Sequence, residues 1–227
     1  MSEPQHLRVV PAQRKWWIMP PDPTPLLTRV SMLPVLTIER VEQAMPLARA
    51  LVAGGLPLIE VALRTDASAE AARAIAREVP GAVLGIGTVT RLADIQLALE
   101  IGAQFLVTPG TPPELAVALA KVPLPVLPGC ATPSEAMALS QHGFRALKFF
   151  PASSSGGVEF LRQIAGPLPR LKFVPSGGVD ERSAADYLAQ PNVIAVSGTW
   201  VVPREAVEAG DFSRVTALAR AAASLRR

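Results

Sequence analysis

A lysine inside an unbroken apolar run is the residue of this chain whose setting most calls for a chemical reason. Lys148 lies in Ala146-Leu147-Lys148-Phe149-Phe150-Pro151 and is one of only four lysines, at 15, 121, 148 and 172, among 22 basic residues. Apolar surroundings disfavour the charged ammonium and favour the free amine, the form that attacks a carbonyl. On spacing alone, a lysine that snorkels at a rim or pairs with a carboxylate fits the same pattern. Glu60 offers the matching acid, within Leu58-Ile59-Glu60-Val61-Ala62-Leu63. Strand alternation puts Glu60, Ala62 and Arg64 on one face, so carboxylate and guanidinium can look into one site. A structural ion pair, Glu60 with Arg64 or with Lys148, satisfies that spacing equally well.

Glycine turns complete the set. Gly85-Ile86-Gly87-Thr88, Thr108-Pro109-Gly110, Pro128-Gly129, Ser176-Gly177-Gly178 and Ser197-Gly198-Thr199 each follow a short apolar run. Glycine backbone N–H groups near a helix N-terminus hold phosphate, and two such turns in succession are a stronger signal than one. One amine, one carboxylate, one guanidinium and these turns suit an anionic, phosphorylated small molecule. Metal chemistry finds little support. His6 and His142 have no histidine partner at i+3 or i+4, and the single cysteine, Cys130, reads as a small buried apolar residue.

These residues must be held by a scaffold, and short apolar runs alternate with longer amphipathic ones from Leu33 onward, the pattern of a parallel sheet covered by helices. Strands are expected at 33–37, 58–63, 83–86, 105–108, 126–127, 146–150, 173–174 and 193–196. Helices are expected at 41–53, 67–78, 92–100, 113–120, 134–141, 158–164, 182–188 and 212–225. Expected helix caps are Asp66 or Ser68, Thr111, Thr132 and Asp180. Eight pairs in about two hundred residues predict a single (β/α)8 TIM barrel over residues 26–227, with the polar strand ends converging on one mouth. Residues 1–25 carry Pro4, Pro11, Pro20, Pro21, Pro23 and Pro25, so a partly irregular, proline-rich N-terminal extension is expected there, with Trp16-Trp17-Ile18 packing on something.

Composition narrows the classes. With 49% hydrophobic and 18% charged residues in 227, a large core is available and disorder is excluded for the bulk of the chain. The net charge of +3 is scattered, without a basic block, which argues against nucleic acid. No apolar run spans a bilayer, and no secretory leader stands at the start, so the expectation is a cytoplasmic protein with no membrane partner. One cysteine forbids an intramolecular disulfide.

At this point the sequence resembles the 2-keto-3-deoxy-6-phosphogluconate (KDPG) and 4-hydroxy-2-oxoglutarate aldolases. The resemblance runs from about Leu33 to the C-terminus. It is carried by Glu60-Val61-Ala62-Leu63-Arg64-Thr65, Gly85-Ile86-Gly87-Thr88-Val89, Val107-Thr108-Pro109-Gly110, Lys148-Phe149-Phe150-Pro151-Ala152, Val174-Pro175-Ser176-Gly177-Gly178-Val179 and Ser197-Gly198-Thr199-Trp200. It implies a metal-independent, cofactor-free class I aldolase, usually a homotrimer, cleaving KDPG to pyruvate and glyceraldehyde 3-phosphate. Lys148 would form the Schiff base and Glu60 would shuttle protons. Arg64 and Thr88 would hold the pyruvyl carboxylate, Phe150 and Pro109 would line the pocket, and Ser176, Gly177, Gly178, Gly198 and Thr199 would receive the phosphate. Ala62, Ile86, Ser176 and Ser197-Gly198-Thr199 depart from the family pattern of threonine, alanine, threonine and Gly-Gly-Ser. These departures bear on substrate choice, leaving open the C4 epimer of KDPG and unphosphorylated 4-hydroxy-2-oxoglutarate. A phosphate-binding barrel without catalysis is the alternative from another class.

Overall fold

The computed structural model describes residues 19–225. Pro25, expected to be irregular, sits in the first turn of a short helix α1 (Thr24–Leu27), where a missing N–H costs nothing. Residues 19–23 form no helix or strand, as expected, and residues 1–18, including Trp16 to Ile18, lie outside the described residues. The strands are β1 (Met32–Leu36), β2 (Leu58–Ala62), β3 (Val83–Gly87), β4 (Phe105–Val107), β5 (Val126–Leu127), β6 (Gly129–Cys130), β7 (Ala146–Phe149), β8 (Lys172–Pro175) and β9 (Val196–Gly198). Between them run α2 (Ala44–Ala53), preceded by a 3-10 turn at Val41–Gln43, then α3 (Ser68–Glu78), α4 (Leu92–Ile101), α5 (Pro113–Leu119), α6 (Pro133–Gln141), α7 (Gly157–Ala165) and α8 (Ala184–Leu188). Helices α9 (Arg204–Ala209) and α10 (Phe212–Ala223) close the chain.

All paired strands are parallel, in a six-stranded run ordered β5-β4-β3-β2-β1-β9 and a three-stranded run ordered β6-β7-β8. Pro128 separates β5 from β6, because it has no N–H to continue the ladder. Single bridges, Phe173 with Val193 and Ser176 with Ser197, link the far edge of β8 to the β9 region. The sheet is therefore curled. Its two faces bury separate apolar sets. Leu33, Leu58, Phe105, Val107, Leu127, Ala146, Val174 and Ala195 pack together with Leu27 and Val30 of the α1 region. The alternate residues, such as Leu36, Ile59, Leu106, Leu147 and Phe173, pack against the helices.

The expected strands and helices are present, shifted by a residue or two at most ends. The last strand departs further, at 196–198 where 193–196 was expected, and α9 was missed because its six residues are too few for a helical period to show. Among the expected caps, Thr132 Oγ1 accepts from Glu135 N, and Asp180 Oδ1 accepts from Arg182 N and Ser183 N ahead of α8. The α3 cap is Ala67, without a side-chain bond, and Pro112 occupies the cap position of α5 that Thr111 was expected to fill.

Candidate active site

The alternation that puts Leu58 and Ala146 in the inner apolar set puts Glu60 and Lys148, two residues on, in the same direction. Both are buried, at 0% and 3% exposure, and Lys148 Nζ lies 3.2 Å and 3.4 Å from Oε1 and Oε2 of Glu60. Breaking such a pair from one side leaves a buried charge uncompensated, typically at a cost of about 3–5 kcal/mol. The Nζ also stands 5.6 Å from the centroid of the Phe150 ring, and the Phe150–Pro151 peptide is cis.

Room for the carboxylate comes from Gly87. A Cβ there would stand 2.1 Å from Glu60 Oε1, so only glycine leaves that space open. Next to it, Thr88 holds a left-handed backbone (φ 59°) and its Oγ1 accepts from Arg64 Nε at 3.1 Å. The Arg64 turn is tied down as well. Thr65 Oγ1 donates to Ile38 O, and Ser68 Oγ donates to Ala62 O.

A cavity of about 100 Å³ opens over this pair, lined by Arg64, Lys148, Phe150, Ser176, Gly177, Gly178, Gly198 and Thr199, with Val35 and Val179. Eight of the eleven expected site residues therefore share one wall. Glu60 and Thr88 stand behind it, hydrogen-bonded to Lys148 and Arg64. Pro109 is not among the residues around this cavity; its carbonyl stands against Gly129, where a Cβ would lie 2.5 Å from it. Val35 and Val179 were missed. Apolar residues at strand ends carry no chemical signal, although Val35 stands opposite Glu60 in the β1–β2 register. Gly177 and Gly178 both have positive φ, and a Cβ on Gly178 would meet the Ser153 side chain at 2.5 Å. A larger cavity of about 880 Å³ shares Val35 and Thr199 but touches neither Lys148 nor Arg64.

Other titratable candidates fall away. The Cys130 thiol is pushed up to about 12 by burial, with the charge of Glu135 adding to it, so it is no thiolate nucleophile near neutral pH. No group of three or more His, Cys, Asp or Glu residues that could hold a metal occurs among the described residues.

A curled parallel sheet whose strand ends bring a buried lysine and carboxylate beneath an arginine and paired glycine turns defines the class: an α/β protein equipped for amine chemistry on an anionic carbonyl compound. The family described as KDPG and KHG aldolase matches residues 24–218, and the chain belongs to that family. It is 45% identical over 197 residues to the 2-dehydro-3-deoxy-phosphogluconate aldolase of Dickeya dadantii (strain 3937), covering 87% of this chain and 92% of that one. It is 44% identical over the same length and shares to the KHG/KDPG aldolase of Escherichia coli (strain K12). Among solved structures, KDPG aldolase from Legionella pneumophila, with pyruvate captured at low pH as a covalent carbinolamine intermediate, superposes with a TM-score of 0.88. That protein is 37% identical, with 90% of this chain and 99% of that one covered. The 2-keto-3-deoxy-6-phosphogluconate aldolase of Zymomonas mobilis ZM4 with 3-phosphoglycerate gives 0.84 at 39% identity, covering 90% and 96%.

Proposed function

We propose that this protein is a class I aldolase that cleaves 2-keto-3-deoxy-6-phosphogluconate to pyruvate and D-glyceraldehyde 3-phosphate through a Schiff base on Lys148. The carrying observation is the buried Lys148–Glu60 contact at the base of a cavity walled by Arg64 and the glycine turns. The amine adds to the C2 carbonyl, and the carbinolamine loses water to give a protonated imine. The C3–C4 electron pair then moves into that imine as the C4 hydroxyl gives up its proton, releasing the aldehyde and leaving an enamine. Protonation at C3 and hydrolysis of the imine release pyruvate. Glu60, within reach of the nitrogen, carries the protons. Arg64, braced by Thr88, takes the carboxylate and so aims the carbonyl at the amine. Phe150 packs beside the amine, and Ser176, Gly177, Gly178, Gly198 and Thr199 receive the phosphate. No step calls for a metal or cofactor.

The same reading includes the rest of the molecule. The curled sheet is taken as a (β/α)8 barrel over 26–227 closed at β8 and β9, supported by the two bridges there. The family match, beginning at residue 24, supports leaving most of 1–25 outside the catalytic unit. A homotrimer is supported by exposed Leu92, Leu99, Val117 and Met137 on three successive helices, α4, α5 and α6. Among the described residues no helix is long and apolar enough to cross a membrane, in keeping with a cytoplasmic setting.

Borohydride reduction in the presence of pyruvate tests the reading. Wild type should gain the mass of a reduced pyruvyl adduct and Lys148→Ala should gain none. An unmodified wild type overturns the Schiff base. In the same assay series KDPG should be cleaved faster than its C4 epimer and 4-hydroxy-2-oxoglutarate. Equal rates on the phosphorylated and unphosphorylated acids would remove the phosphate role from residues 176–199.

A further inference from the structure

Thr108 and Thr111 have no part in the chemistry above, and Thr111 does not cap α5 as its place in the sequence suggests. Their hydroxyls are used elsewhere. Thr108, 0% exposed, accepts from Gly129 N at 2.8 Å, and its Oγ1 lies 2.8 Å from Thr111 Oγ1. Thr111 Oγ1 in turn donates to Gly129 O at 3.0 Å. That last bond uses the Thr111 proton, so the proton between the two hydroxyls must come from Thr108. The result is one closed sequence of donors: Gly129 N–H to Thr108, Thr108 to Thr111, and Thr111 to Gly129 C=O. Both polar groups of Gly129 are gripped by side chains from the loop after β4.

The gripped residue stands beside the reactive lysine. Gly129 pairs with Lys148 in the β6–β7 register, and Lys148 N donates to Pro128 O at 2.9 Å. Pro128 C=O and Gly129 N–H belong to the same peptide group. A single peptide therefore joins the Lys148 backbone on one side to the Thr108 hydroxyl on the other. On its other side the β4–β5 register ends at Leu127, so the Gly129 N–H is held there by the Thr108 side chain. Gly129 is also the only residue type that fits, since a Cβ there would lie 2.5 Å from the carbonyl carbon and oxygen of Pro109.

We propose that Thr108 and Thr111 are positioning residues for the reactive amine, fixing the peptide against which the Lys148 backbone is registered. The inference rests on the Schiff-base reading of Lys148. A displaced backbone moves Nζ relative to Glu60 and to a carbonyl held by Arg64, which slows amine addition while leaving the Arg64 and glycine contacts to the substrate in place.

The test uses the full-length protein with Thr108→Val, which keeps the shape and removes the hydroxyl, Thr108→Ser, which restores it, and Thr111→Val. Thr108→Val should lower kcat for KDPG and the rate of borohydride trapping with pyruvate by about 10-fold or more, with KM within about 2-fold. Thr108→Ser should recover most of both rates. Thr111→Val, which leaves Thr108 bonded to Gly129 N, should show the same split more weakly and serves if Thr108→Val does not fold. Loss of thermal stability with kcat and trapping unchanged, or failure of Thr108→Ser to recover the rates, overturns the positioning role. Wild type that is never trapped sinks the Schiff-base reading and this inference together, whereas trapped wild type with unaltered variants sinks this inference alone.

Discussion

The Lys148–Glu60 contact depends on a residue that has no side chain. A methyl group at Gly87 would collide with Glu60 at Oε1, Cγ and Cδ, so Gly87→Ala must swing the carboxylate away from the amine. The clash falls on the end of a flexible side chain, and the protein should still fold, losing about 1–3 kcal/mol as in other overpacked sites. Under the aldolase reading, kcat for KDPG should fall by about 10²-fold, the lower end of what a positioned proton carrier contributes. Gly110 is the control. Nothing lies within 4 Å of its Cβ position, and Gly110→Ala should leave melting within about 0.5 kcal/mol of wild type and turnover unchanged. Steady-state kinetics with thermal melting check the pair, and equal behaviour of the two variants would refute the argument. At this scale the sequence was informative about residue types. Lys148, Glu60 and Arg64 declared themselves by being charged in apolar runs. The space that Gly87 provides and the bracket made by Thr108 and Thr111 depend on which strands are neighbours, and spacing along one chain does not carry that.

Among the elements, α4 has a start held by one carboxylate. Asp94 Oδ2 accepts from Thr90 N, Thr90 Oγ1 and Arg91 N, while Oδ1 accepts from Arg91 Nη2 at 2.8 Å. Burial works to raise the Asp94 carboxyl, yet the bonds from Arg91 and Thr90 together hold it below the usual carboxylate range. A carboxyl depressed in the folded state contributes stability that is fully present above its unfolded value and is lost as pH falls through its folded one. The stability difference between wild type and Asp94→Asn should therefore be about 0.5–2 kcal/mol near neutral pH and shrink on acidification through the acid range. Melting curves of both proteins across that range check it, and a difference that grows with acid would refute it. The positions of the elements were largely legible in the sequence, since period and punctuation are local. The exceptions are instructive. Thr132 caps α6 as its spacing with Glu135 suggests, whereas Thr111, followed by two prolines in the same way that Thr132 is followed by one, gives its hydroxyl to Gly129. A local motif states what a side chain can do, and the neighbouring strand decided what it does.

At the scale of the molecule, Leu92, Leu99, Val117 and Met137 are large apolar side chains left exposed on α4, α5 and α6, and under the homotrimer proposal they belong to one covered surface. If that surface joins the copies of a homotrimer, the double variant Leu92→Glu and Met137→Lys should sediment as a monomer while wild type sediments at three times the mass. A variant that keeps the wild-type mass would place the contact elsewhere. The sequence by itself determined that the strands are parallel and buried on both faces, that helices lie between them, and that polar groups gather at the strand ends, because hydrophobic period and apolar run length are properties of neighbouring residues. Its motifs were enough to mark the family. Only the tertiary structure decided that residues 88 positions apart in the chain, Glu60 and Lys148, stand 3.2 Å from one another, that Thr88 and not a carboxylate braces Arg64, and that the Pro109 carbonyl stands against Gly129. Those outcomes follow from strand register and the curl of the sheet, which are set by the packing of all the elements at once.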